Sequence, residues 1–127
     1  MSKYTGRAAV SVTTSETTVL TVAINDTHEI PEVLWVHLSN AAAGGALTEF
    51  SVKYKIHADD TLQVVASADE DYVGNTQFPI LACSGDPTAL ALSGTLMFVL
   101  SVRGAVQVQL TAKAAATTVL TVSHNLR

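Results

Sequence analysis

The residues of this chain that could carry out chemistry are few and dispersed. Cys83-Ser84-Gly85-Asp86 sets a thiol and a hydroxyl close to a carboxylate, the residue types from which a nucleophile and its activating base are assembled. The stretch contains no G-x-S-x-G elbow, and nothing in the spacing assigns a histidine to it as base. Cys83 follows an apolar run and reads as a small hydrophobe of the interior. His28, His37, His57 and His124 form no H-x-H or H-x-x-x-H pair, so they do not suggest a metal centre. Asp69-Glu70-Asp71 offers carboxylate oxygens of the kind that hold Ca²⁺, without the ligand spacing and glycine of an EF-hand loop. It reads as a solvated loop. Gly44-Gly45 belongs to no phosphate-binding pattern. The expectation is a non-enzymatic protein with no catalytic residues, no metal and no cofactor.

Composition points to the elements that must support any binding surface. The 127 residues suit one domain. Apolar residues make up 48% and charged residues 14%, with 16 Thr and 16 Val spread along the chain, which favours half-buried pleated strands. A net charge of -4, with the seven Lys and Arg dispersed, gives no basic stripe to displace counterions, so nucleic acid is not expected as a partner. There is no apolar run long enough to span a membrane, and MSKYTGRAAV lacks the apolar core of a secretory signal. A soluble protein made in a cytoplasm is expected, with the lone Cys83 unable to form an internal disulfide.

The chain divides into short strands separated by turn signals. After an arm over residues 1–7, AAVSVTT (Ala8 to Thr14) alternates and leads into TTVLTV (Thr17 to Val22), in which Leu20, Val22 and Ile24 share one face. Turn formers fill Asn25 to Pro31, and VLWVHL carries the single tryptophan, Trp35. NAAAGG (Asn40 to Gly45) reads as a flexible loop. In LTEFSVKYKIH, Phe50, Val52, Tyr54 and Ile56 face the core, while Glu49, Ser51, Lys53, Lys55 and His57 face solvent or a wet interface. Asp59-Asp60 turns into LQVVA as a hairpin, and FPILA suits an edge because Pro79 cannot donate to a central ladder. In SGDPTALALSG, Asp86 is placed to cap a helical turn starting at Pro87.

LMFVLSV (Leu96 to Val102) is apolar on both faces, as expected for a strand either buried on both sides or covered by a partner on one. VQVQL and a second TTVLTV (Thr117 to Val122) close the chain. The resulting expectation is an all-β single-domain sandwich over residues 8–127, jelly-roll-like, with about eight strands and adjacent terminal strands. The two TTVLTV copies would pair antiparallel, unless their identity is coincidence in a Thr- and Val-rich chain. Tyr4, Tyr72 and Trp35 are the rings left over for an exposed sugar-binding platform.

The cysteine-poor, signal-less, Ala/Thr/Val-rich chain resembles small structural proteins of tailed phages, most nearly capsid decoration (cement) proteins with sandwich or jelly-roll folds. The resemblance lies in SGDPTALALSG before a buried strand and in GAVQVQL, a V-x-V-x-L strand after a glycine turn. It implies a virion protein on the capsid surface that bridges major capsid protein subunits, reinforces the shell, and associates with itself as a dimer or trimer. Candidate partner-binding residues are Lys3, Tyr4 and Arg7 of the arm, Trp35, and Lys53 and Lys55 on the polar face of their strand. The alternative is a carbohydrate-binding sandwich module of a phage tail or cell-surface assembly.

Overall fold

A computed structural model describes residues 5–24, 32–73 and 78–127. Within them lie nine strands: β1 (Thr5–Val12), β2 (Thr17–Ala23), β3 (Val33–Asn40), β4 (Leu47–Lys55), β5 (Gln63–Ala66), β6 (Ile80–Cys83), β7 (Thr95–Ser101), β8 (Gln107–Ala114) and β9 (Thr118–Leu126). One helical turn, α1 (Asp69–Tyr72), precedes β6, and a 3-10 turn (Pro87–Ala89) precedes β7. The strands form two antiparallel sheets, ordered β1-β9-β3-β7-β6 and β2-β8-β4-β5. With β6 set aside, this is the strand order of a jelly roll, in which the chain crosses repeatedly between the two sheets. The terminal strands are adjacent as expected: β1 pairs with β9 without interruption from Thr5↔Asn125 to Val12↔Thr118.

The inner faces carry alternate residues of each strand. Leu34, Val36 and Leu38 of β3 and Leu96, Phe98 and Leu100 of β7 meet Phe50, Val52 and Tyr54 of β4 and Val108 and Leu110 of β8, all buried. Each such side chain contributes about 1.5–3 kcal/mol of burial free energy. Phe50, Phe98 and Tyr72 meet edge to face, with centroids 5.7 to 6.2 Å apart. Tyr72 reaches them from α1, so the acidic stretch is the first turn of a helix rather than an open loop. The Asp71 carboxylate accepts from the Ser67 and Ala68 N–H groups at 3.1 and 3.3 Å and fixes the turn that inserts the ring. The Tyr72 hydroxyl lies 3.0 Å from both the Phe50 and Ala66 carbonyls and donates between them, which removes Tyr72 from any surface platform.

The two TTVLTV copies do not pair, because they lie in opposite sheets. β2 pairs with β8, while β9 lies between β1 and β3. A bulge between Thr18 and Leu20 breaks the alternation of β2, so the first copy buries Val19 and Val22 and leaves Leu20 half-buried. The second copy is regular, burying Thr118, Leu120 and Val122 and exposing Val119. Leu20, Val22 and Ile24 share the core side as expected, Leu20 and Ile24 packing half-buried against it, and the bulge, which adds one residue, is why Val19, expected on the outer side, is buried as well. Ile56 also departs from expectation. It is 65% exposed because β4 ends at Lys55.

NAAAGG is anchored at both ends, with Asn40 and Gly45 buried and Ala42, Ala43 and Gly44 exposed between them. Asn40 is 3% exposed; its Nδ2 donates to the carbonyls of Gly45 (3.1 Å) and Leu90 (3.3 Å), and its Oδ1 accepts from Thr118 Oγ1 at 2.6 Å. A Cβ on Gly45 would come within 2.4 Å of the Ala116 N, so glycine is required by the close approach of two backbones. The Asp86 cap forms as expected, accepting from Thr88 N at 2.9 Å, and β6 and its Pro79 lie at a sheet edge. β1 begins within the span expected as an arm, residues 1–7, since Thr5, Gly6 and Arg7 pair with Asn125, His124 and Ser123. Lys3 and Tyr4 of that arm, His28 and the Asn25 to Pro31 turn lie outside the described residues.

Candidate functional site

The outward side chains of the five-stranded sheet follow from its register. β3 pairs with β9 through Trp35↔Asn125 and His37↔Ser123, and with β7 through Trp35↔Val99 and His37↔Met97. β1 and β6 extend these rows by Thr5↔Asn125, Arg7↔Ser123 and Ala82↔Val99. One row across the outer face therefore reads Thr5, Asn125, Trp35, Val99, Ala82, and the next reads Arg7, Ser123, His37, Met97. Trp35 and Met97 are 45% and 47% exposed, whereas Val99 is buried between its neighbours. A shallow depression of about 150 Å³ is lined by Trp35, His37, Met97, Ser123 and Asn125. It is smaller than a pocket that encloses a drug-sized molecule, and fits one inserted side chain or one sugar ring.

The outer face of the four-stranded sheet has a different character. Lys53 is held by Glu16, Nζ to Oε1 2.6 Å, and Lys113 by Glu49, Nζ to Oε2 2.7 Å. The hydrogen bond from Lys53, then that from Thr111, holds the Glu16 carboxyl below its ordinary value. Both pairs are solvent-exposed and salt-screened. Two of the lysines of this face are thus matched by glutamates, and Lys55 lies on the same side of β4 as Lys53. A separate cleft of about 310 Å³ lies beside β5, lined by Tyr54, Ile56, Gln63, Val65 and Phe78 among others.

The six candidate partner-binding residues are thus divided. Arg7 and Trp35 share the outer face of the five-stranded sheet, Lys53 and Lys55 lie on β4 in the opposite sheet, and Lys3 and Tyr4 fall outside the described residues. Met97 and Val99 were not singled out, although the two-sided apolar character of LMFVLSV was the signal for them.

The Cys83 region is committed to structure. Cys83 Sγ donates to the Gly85 carbonyl at 2.7 Å, and Ser84 Oγ accepts from Met97 N at 2.8 Å. Burial pushes the Cys83 thiol up, away from the thiolate a nucleophile needs. Among the described residues, no three His, Cys, Asp or Glu side chains gather as metal ligands, and no helix is long and apolar enough to cross a membrane.

His124 packs against β1, where a Cβ on Gly6 would come within 2.5 Å of its Cε1. Burial lowers its pKa, so the unfolded chain takes up this proton before the folded one. The associated stability is present above about pH 6.5 and is lost as pH falls through the folded value. Thermal melts between pH 7.5 and 5 should show this decline, and His124→Gln should flatten it. An identical slope in the variant would exclude His124 as the titrating group.

Comparison with protein-family models, with curated proteins and with solved structures finds no match for the chain.

Proposed function

We propose that the protein is a virion structural protein, a capsid decoration (cement) protein that docks on major capsid protein subunits through the outer face of its five-stranded sheet. The observation that carries this reading is the half-exposed Trp35 and Met97 pair over Val99, rimmed by Arg7, His37, Ser123 and Asn125. Aromatic, methionine and arginine side chains inside a polar rim are what protein interfaces enrich. An aromatic anchor of this kind supplies a disproportionate share of binding energy. The jelly roll adds support by analogy of fold, since capsid and lectin domains both use it.

A second reading rests on the same ring. Trp35 lies beside Asn125 and His37, and a stacking surface flanked by hydrogen-bonding side chains also suits a sugar. A protein partner is preferred because Met97 extends the patch with exposed apolar surface that a sugar's hydroxyls would not satisfy.

Saturable, stoichiometric binding to undecorated capsids is the expected result. Trp35→Ala should weaken that binding by about 2 kcal/mol, roughly 30-fold, and leave the melting temperature nearly unchanged because the ring is half-exposed. Absence of binding, combined with a Trp35-dependent signal on a glycan array, would replace the first reading with the second.

A further inference from the structure

The sandwich has four sheet edges, and three of them carry features that discourage pairing. β5 and β6 have four residues each, and both adjoin register breaks, between Val52 and Lys53 and between Ile80 and Ala82. β6 also follows Pro79, and β2 is bulged between Thr18 and Leu20. Short strands, prolines and bulges are the means by which proteins keep edges from recruiting other chains. β1 has none of them. It is eight residues long, unbroken in register, with Arg7 as its one charge and Gly6, Ala8 and Ala9 leaving it slim.

The direction of its backbone groups follows from β9. The Val119 carbonyl accepts from Ala41 N at 3.0 Å, and Arg127 exchanges bonds of 2.8 and 2.9 Å with Val33, so the odd-numbered residues of β9 bond toward β3. Its even-numbered residues bond toward β1, where they meet Gly6, Ala8, Val10 and Val12. Thr5, Arg7, Ala9 and Ser11 therefore point their N–H and C=O groups away from the sheet. Among the described residues, no strand pairs on that side.

We infer that this edge is a two-fold interface: β1 pairs antiparallel with β1 of a second copy, fusing the two five-stranded sheets into one. A self-complementary edge closes on a two-fold axis, which limits growth to a dimer. The register is centred on Ala8. It places Thr5 opposite Ser11 and Arg7 opposite Ala9 of the second copy, so every outward N–H and C=O from Thr5 to Ser11 finds a partner. Centring on Arg7 would oppose two guanidinium groups, and centring on Ala9 would leave Thr5 unpaired. The axis runs perpendicular to the fused sheet, so both Trp35 patches face the same way. If the outer face docks as proposed, the dimer engages a lattice at two points and gains avidity without new contacts. The dimer itself does not depend on what that face binds.

Sedimentation equilibrium of the full chain without any partner should give a dimer at about 100 µM, where even a weak specific interface fills. Ala9→Pro removes a central outward N–H at a position where an edge tolerates proline, and should give a monomer with the parent circular dichroism spectrum. In a Cys83→Ser background, Ala8→Cys should cross-link to a covalent dimer on mild oxidation, since directly opposed Cα atoms about 4.5 Å apart fall within disulfide reach. Ser11→Cys in the same background should not. A monomeric parent, a folded and still dimeric Ala9→Pro, or equal cross-linking at both cysteines would overturn the interface. Should Ala9→Pro fail to fold, the cysteine pair decides.

Discussion

Phe98→Ala should destabilise the protein by about 3–5 kcal/mol, a large share of the stability of a domain this size. Phe98 is fully buried, 5.7 Å from Phe50 and 6.2 Å from Tyr72 between ring centroids. Its strand lies between β3 and β6, so hydrogen bonds on both sides hold the backbone away from the cavity. Tyr72 cannot swing in, because its hydroxyl is anchored to the Phe50 and Ala66 carbonyls. Urea titration should show a lower midpoint with an unchanged slope. Met97→Ala, one residue away on the outer face, should cost no more than about 1 kcal/mol by the same measure, because a half-exposed side chain leaves no sealed cavity. Equal losses at the two positions would mean that β7 does not present Phe98 inward and Met97 outward.

Asn40→Ala should cost about 2–4 kcal/mol, because it removes one side chain, leaves two buried groups without their partner and takes one of two donors from a third. The Gly45 carbonyl loses its donor and the Thr118 hydroxyl its acceptor, while the Leu90 carbonyl keeps only the bond from Leu47 N. Thr118 is itself 2% exposed, so water cannot replace the amide cheaply. Asn40→Asp sharpens the test. It keeps the acceptor for Thr118 but turns an oxygen toward two carbonyls, which disfavours the carboxylate and raises its folded pKa above the unfolded value near 3.9. The stability of this variant should be greatest in acid and should fall as pH rises through that raised value. A variant insensitive to pH in denaturant titrations would show that the amide is not enclosed.

The same residue shows where local reading stops. NAAAGG looks like a flexible loop because small residues and paired glycines have little to bury. What anchors it is contact with Leu90 and Thr118, which are distant in sequence. Tyr72 was misread for the same reason: three acidic residues precede it, and only the space between Phe50 and Phe98 makes it a core residue. Trp35, by contrast, was legible as an exposed ring, while Met97 became part of the site only when register set it beside His37.

Alternation and turn chemistry determined which segments of this chain are strands, because a period of two with β-branched residues stabilises a pleated, one-sided surface wherever it lies. They also determined the edge position of FPILA and the Asp86 cap, both of which depend on the backbone chemistry of one or two residues. The tertiary structure decided which sheet each strand joins. The clearest case is TTVLTV, whose two copies enter opposite sheets and bury different residues, Val19 and Val22 in one, Thr118, Leu120 and Val122 in the other. Six residues specify an extended conformation, but a bulge against β8 and a regular ladder between β1 and β3 specify what that conformation faces, and those partners are set by long-range packing.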